Sequence, residues 1–343
     1  MSELRTRDLT IHDIAHAAGV STATVSRVIN GSAGVKSDKA ERVQSVIERL
    51  GYKPNPFARS LLGQGSKAIG VLVPQLEDEF YGKIVTGLER RLRTEGLHVM
   101  VSLGHNDPND ERDALETFRA RQVDGLILLA NRLPDAALLE LNETHVPVVL
   151  VNRFLPELAP HCVRLDNVRG GYKATEHLIS LGHTRIAHIT GSLERPGSRE
   201  RLEGYRAALR DAGLERDDAL VVEGDFSEDG GLVATERVLK RTNFSAIFAA
   251  SDRLALGALV ALREAGLEVP REVSLIGYDD RSVARFTSPP LSTMHYPMLE
   301  MGAQAADHLI ALLRGETPPP LPLLEPALVV RSSSGAFVKK RKR

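Results

Sequence analysis

Tryptophan is absent from this 343-residue chain, cysteine occurs once, and aromatic residues make up only 4%. A lone Cys162 closes no internal disulfide, which excludes a disulfide-stapled scaffold and points to a reducing compartment. The longest apolar runs, near 125–130 and 146–151, fall far short of the ~18 residues that span a bilayer. Residues 1–8 are polar, with no apolar stretch of the kind that marks a secretory leader, so a cytoplasmic protein is expected. No Gly-x-Ser-x-Gly elbow and no Walker lysine loop occurs. The acidic run 107–113 has the early spacing of a calcium loop. It carries Arg112 where that loop needs glycine and Phe118 where it needs glutamate, so it reads as a solvated helix start. His183 and His188 have no third ligand nearby. The expectation is therefore no catalytic set, no metal, no cofactor and no enzyme.

Charge is present but unevenly placed. Residues 1–67 hold ten Lys/Arg against six Asp/Glu, and Lys339–Arg343 is entirely basic. Because the whole chain carries −1, residues 68–338 must be ten charges negative. A small basic module ahead of a large acidic body is the pattern of a chain whose front end meets a polyanion.

The first sixty residues read as short helices. Thr10 can cap a helix with Ile11, Ile14, Ala15 and Ala18 on one face. After the Gly19-Val20 turn, Ser21 caps a second helix with Val25, Val28 and Ile29 inward, ended by Asn30-Gly31. Ser37 caps a third, with Ala40, Val43, Ile47 and Leu50 inward and Gly51 at its end. A short helix over 56–62 and a flexible linker at 63–66 follow. From Ala68 the rhythm becomes strand–helix–strand. Strands are expected at 69–73, 98–103, 125–129, 146–151, 162–165, 185–189, 220–222, 246–249, 273–276 and 328–330, with helices such as 80–95 and 255–265 between them. Ten strands over this length call for two doubly wound α/β lobes of parallel sheet.

At 100° per residue the second helix buries Val25, Val28 and Ile29 and turns Ala23, Ser26 and Arg27 outward. Small side chains with one arginine suit a surface lying flush in a DNA major groove. Thr24 and Ser26 would reach phosphates, and Arg27 would reach guanine O6 and N7. An ordinary three-helix packing module with a polar exterior shows the same periodicity. The run from Thr10 to Gly31, TIHDIAHAAGVSTATVSRVING, closely resembles the DNA-binding signature of the LacI/GalR family of bacterial repressors. The segment 50–61 resembles that family's hinge, and 121–127, 182–186 and 273–280 continue the match across nearly the whole chain.

That resemblance implies a helix-turn-helix domain over 1–55, a hinge helix and linker over 56–67, and a two-lobed core over 68–338 like that of periplasmic binding proteins. Its lobes would be about 68–166 with 294–324, and about 167–293 with 325–338, followed by a basic tail at 339–343. It implies a homodimer on pseudo-palindromic operator DNA, away from any membrane, contacted by Thr10, Ser21, Thr22, Ala23, Thr24, Ser26, Arg27 and Asn30. Ala58 and Leu61 would enter the minor groove, Leu61 as an apolar wedge.

In open parallel sheets, ligands bind beyond the carboxyl ends of the strands. That rule collects Phe80, Tyr81, Asn152, Arg153, Arg195, Arg201, Phe226, Ser251, Asp252 and Asp279. Flat aromatics with planar hydrogen-bonding groups suit a polyhydroxylated ring. The resemblance points independently to Phe80, Arg201, Phe226 and Asp279. Arg153, Arg195 and Arg201 raise an acidic effector, a sugar acid or sugar phosphate, beside a neutral sugar. Purine-reading relatives share Arg195 and Phe226, but they present a hydroxyl where this chain has Gly197 and an aromatic where it has Arg153. The expected function is a sequence-specific transcriptional repressor whose DNA affinity is set by such an effector. The alternatives are a purine-responsive repressor of the same family and a sugar-binding protein with no DNA role.

Overall fold

Thr10 opens the first helix, α1 (Ile11–Ala18), with a reciprocal cap. Its Oγ1 accepts from the Asp13 N–H at 3.4 Å, and its own N–H donates to Asp13 Oδ2 at 2.8 Å. Gly19, at φ 63°, turns the chain into α2 (Thr22–Ile29), where the Ser21 Oγ accepts from the Thr24 N–H at 3.2 Å. The next helix, α3 (Ser37–Leu50), has Lys36 rather than Ser37 at its cap. The Ser37 hydroxyl instead donates to Glu41 at 3.0 Å within the helix. Ile14, Ala15, Ala18, Val25, Val43 and Val46 form the small core of this part. Val46 faces inward, while Leu50 is exposed. The structure, a computed structural model, describes residues 9–29, 35–52, 65–129 and 132–338. Contacts divide the chain into a unit of residues 1–67 and a unit of residues 68–343.

The larger unit holds two sheets. The first, all parallel, has the order β2 (His98–Leu103), β1 (Ala68–Val73), β3 (Gly125–Leu129), β4 (Val148–Val151), β5 (Cys162–Val163). Around it lie α4 (Glu79–Thr94), α5 (Pro108–Ala120) and α6 (Asp135–Asn142). Asp107, with Pro108 in the first turn, caps α5, so the calcium-like acidic run is a helix start. The second sheet has the order β11 (Ala327–Val329), β10 (Ser292–His295), β9 (Ser274–Asp279), β8 (Ala246–Ala249), β6 (Ile186–Thr190), β7 (Val221–Glu223), parallel except for β10–β11. Helices α7 (Asn167–Ser180), α8 (Pro196–Asp211), α9 (Glu228–Arg241) and α10 (Asp252–Glu264) belong to it.

The chain passes between the sheets three times: after β5, after β10 and again before β11. The middle passage delivers α11 (Met298–Leu313) back onto α4 and the first sheet. Tyr296, Met298, Leu165 and Leu324, at these passages, are buried in one apolar cluster that runs from one sheet to the other. Eleven strands form among the described residues, where ten are expected. The extra one, β10, is Ser-Thr-Met-His and carries no apolar run. Its buried hydroxyls are instead satisfied, Thr293 by Asp252 at 2.6 Å and Ser292 by Ser334 at 2.8 Å.

Three helix pairs close through reciprocal glycines: α4 on α11 (Gly87, Gly302), α7 on α8 (Gly171, Gly204) and α9 on α10 (Gly231, Gly257). At each, a Cβ would overlap a backbone atom of the facing helix. This close approach holds α8, which carries Arg201, against α7.

Candidate functional site

In the small unit, Val25 is fully buried and Val28 and Ile29 pack against the same core, so the opposite side of α2 faces solvent. Ser21, Ala23 and Arg27 are exposed, and Thr22, Thr24 and Ser26 are half-buried. No ion pair among the described residues holds Arg27, and α2 has no acidic residue in its first turn. The long donor is therefore available, and the helix N-terminus is open to an anion. Two expected contacts are partly committed elsewhere. The Thr10 hydroxyl lies 2.7 Å from Asp13 Oδ2 within its cap, and the Thr24 hydroxyl lies 3.0 Å from that of Ser21. Asn30, Ala58, Leu61 and the tail 339–343 lie outside the described residues.

In the large unit, the carboxyl ends of the two sheets face each other across a cavity of about 900 Å³. Phe80, Tyr81, Asn152, Arg153, Arg195, Arg201, Phe226 and Asp279 all line it. Ser251 and Asp252 do not. Ser251 is 1% exposed and spends its hydroxyl capping α10 at the Leu254 N–H. Asp252 is fully buried behind the lining, accepting from Thr293 and from the Arg281 N–H at 2.7 Å. Burial, then the nearby charge of Asp279, pushes the Asp252 carboxyl up to about 8. Loops beyond strand ends supply both kinds of residue, and position along the strand alone does not separate them.

The inner wall centres on Arg201, a buried guanidinium lying 3.8 Å from the Tyr278 ring centroid. Its Nε donates to Asn167 Oδ1 at 2.9 Å and its Nη1 to the Ala250 carbonyl at 2.5 Å. Asp279, 4% exposed, is raised by burial, an effect opposed by Arg281 and Arg201. Phe80 meets Tyr81 and Tyr296 edge to face at 5.2 and 4.9 Å. Asn152 accepts from the Tyr296 hydroxyl at 2.5 Å. Asn152, Phe226 and Asp279 hold φ values of 58°, 69° and 107°, left-handed backbone that bulky residues rarely adopt. Three strained residues around one cavity aim their side chains where relaxed loops would not.

Among the arginines, Arg153 is committed to Asp135 (2.6 Å) and the Leu133 carbonyl (2.8 Å). It therefore adds less free positive charge to the cleft than its sequence position implies. Arg195 meets only neutral groups among the described residues: the Tyr81 hydroxyl at 3.4 Å, Asn106 Oδ1 at 3.3 Å and the Phe226 ring at 5.6 Å. Sequence reasoning missed Asp78, Asn167, Arg281 and Tyr296, which also line the cavity. Asp78 and Arg281 lie two positions from Phe80 and Asp279. Asn167 follows β5 and was reachable by the strand-end rule. Tyr296 follows β10, a strand with no apolar signal. No group of three potential metal ligands occurs among the described residues, and none of their helices is long and apolar enough to cross a membrane.

Two family models match this chain: "Bacterial regulatory proteins, lacI family" over residues 10–55 and "Periplasmic binding protein-like domain" over 175–334. The transcriptional regulator GalR of Escherichia coli is 37% identical over 326 residues, 94% of this chain and 95% of that one. A lac repressor dimer solved on operator with the anti-inducer ONPF aligns with a TM-score of 0.86 at 30% identity, over 96% of this chain and 100% of that one. A CelR–cellobiose complex aligns with a TM-score of 0.73 at 37% identity, over 95% and 99%.

Proposed function

This chain belongs to the lacI family of bacterial regulatory proteins and is a DNA-binding transcriptional regulator, and on that premise we propose that a sugar held in its interlobe cleft sets its affinity for operator DNA. The observation that carries the effector reading is the buried Arg201, oriented by Asn167 and Ala250 beside Asp279, in a cavity flanked by Phe80 and Phe226. Guanidinium and carboxylate can each bind vicinal hydroxyls in two directions, while an aromatic ring covers the apolar face of a pyranose. A solved relative, the CelR complex, holds cellobiose, which fits this chemistry. Arg195, facing only neutral groups, favours a second reading, a sugar carrying a carboxylate or phosphate.

On the DNA side, the exposed face of α2 reads base edges through Arg27, with Ser21, Thr22, Ala23, Thr24 and Ser26 against backbone and groove wall. The chain acts as a cytoplasmic homodimer on a two-fold site, without catalysis of its own, as a repressor. The functional divisions are those set out from the sequence, with the two lobes joined at the three passages. Ligand that changes how the lobes meet would change operator affinity by the coupling energy, typically 1–3 kcal/mol.

The test is a thermal-shift screen of hexoses, pentoses, cellobiose, hexonic acids, sugar phosphates and purines, followed by gel shift on duplexes selected from random sequence. A sugar that raises the melting temperature and moves the DNA titration supports the reading. A purine as sole ligand overturns it.

A further inference from the structure

Asp78 and Arg281 belong to opposite lobes, one after β1 of the first sheet and the other after β9 of the second. Their side chains meet in a two-pronged ion pair, Nη1 to Oδ1 at 2.6 Å and Nη2 to Oδ2 at 3.1 Å, with each side chain about nine-tenths buried (10% and 11% exposed). Beside it Glu79 accepts from the Ser282 hydroxyl at 3.0 Å and from its N–H, so two consecutive residues of each lobe are joined. Arg253 is the nearest other cation, 4.0 Å from Asp78, but its own forked pair is with Glu228.

Each partner of this pair also holds a residue of the effector cavity. Asp78 Oδ1 accepts the Phe80 N–H at 2.9 Å and so fixes the first turn of α4, where Phe80 stands. Arg281 Nε points at Asp279 Oδ2 at 3.4 Å, and its backbone N–H is anchored on Asp252. Phe80, Asp78, Arg281 and Asp279 thus form one chain of contacts across the cleft. A planar guanidinium can fork onto one carboxylate through Nη1 and Nη2 and still direct Nε at a second, a geometry an ammonium does not have.

We propose that Asp78 and Arg281 form a positioning pair that ties the lobes at one rim of the cleft and holds Phe80 and Asp279 in place for the effector. Lobe contact and effector binding then share one guanidinium: opening the lobes takes Arg281 from Asp78 and loosens the neighbour of Asp279. The inference rests on the cleft being the effector site, but the lobe tie can be tested without ligand.

The experiment uses full-length dimer with Asp78→Asn, Arg281→Gln and the double variant. Amide hydrogen exchange is followed in segments 78–84 and 280–286, with 186–190 of the second sheet as reference. Removing either partner of a buried pair should speed exchange in both rim segments about tenfold, with the double variant no faster than the singles and the reference unchanged. Wild-type exchange in the rim segments, or equal acceleration in the reference, would overturn the tie. Cellobiose and D-galactose are then titrated by calorimetry. Arg281→Gln should lose more affinity than Asp78→Asn, because only the former also removes the guanidinium that contacts Asp279, and equal losses would overturn the positioning role. If neither sugar binds wild type, the titration is made with the ligand that the thermal-shift screen returns, and the exchange result still decides the tie.

Discussion

The guanidinium of Arg201 lies 3.8 Å from the centroid of the ring of Tyr278, a fully buried tyrosine. A charge is kept at the cleft wall on a polarisable face, with its donors turned to Asn167 and Ala250. Arg201→Met should therefore act twice. Two acceptors lose their donor, costing about 1–3 kcal/mol in urea unfolding, and sugar affinity should fall at least about tenfold. Arg201→Lys, with charge but no fork, should recover stability better than affinity. Full affinity in the lysine variant would mean that charge alone, without geometry, is what the ligand reads.

Gly171 lies where α7 touches α8, and a Cβ there would overlap the carbonyl oxygen of Arg201 itself. Gly171→Ala should push α8 outward, lowering the melting temperature and weakening sugar binding together. Gly213→Ala is the contrast: that glycine has open space around it but sits at φ 67°, so it should cost stability while leaving sugar affinity unchanged. Intact sugar binding in Gly171→Ala would show that the close approach does not set the position of Arg201.

Asp252 gives stability a direction with pH. Its folded-state pKa is raised from 3.8 to about 8, so between those values the folded chain keeps a proton that the unfolded chain has released. This contribution is fully present at low pH, declines as pH rises through the window and levels off above it. Asp279 is raised as well and acts in the same sense. Melting temperatures of Asp252→Asn should therefore fall less steeply from pH 5 to pH 8.5 than those of wild type. Parallel curves would place the buried proton elsewhere.

What the sequence disclosed follows the physical origin of each signal. Parallel strands buried on both faces read as β-branched runs, and those runs located every strand that has one. β10 escaped because two of its three buried positions are Ser292 and Thr293, whose hydroxyls are satisfied by Ser334 and Asp252, partners far away in the chain, which leaves Met294 as its one buried apolar residue. The strand-end rule gathered eight lining residues because parallel topology places their loops at one end. It could not tell Asp279, which lines the cavity, from Asp252, which lies behind it accepting from Thr293 and the Arg281 N–H, partners 41 and 29 positions away. The Asp78–Arg281 pair joins residues 203 positions apart, a separation no local pattern encodes.

Arg27 is the residue on which DNA specificity is expected to turn. It stands exposed on the face of α2 opposite Val25, with small side chains on either side and no ion pair among the described residues. A guanidinium donating to both acceptors of a guanine discriminates by about 1–3 kcal/mol, whereas one on phosphate carries no sequence preference. The two roles separate in a gel-shift series on selected duplexes at several salt concentrations. Arg27→Ala should flatten preference at one base pair of each half-site and leave the others standing. A uniform loss over all duplexes, with the salt slope reduced by about one, would move Arg27 to the phosphate backbone. Arg42→Ala, on the exposed side of α3, serves as the control and should leave base preference intact. Only the pattern across sequences distinguishes a reader of bases from an anchor, because either variant can weaken binding to a single duplex.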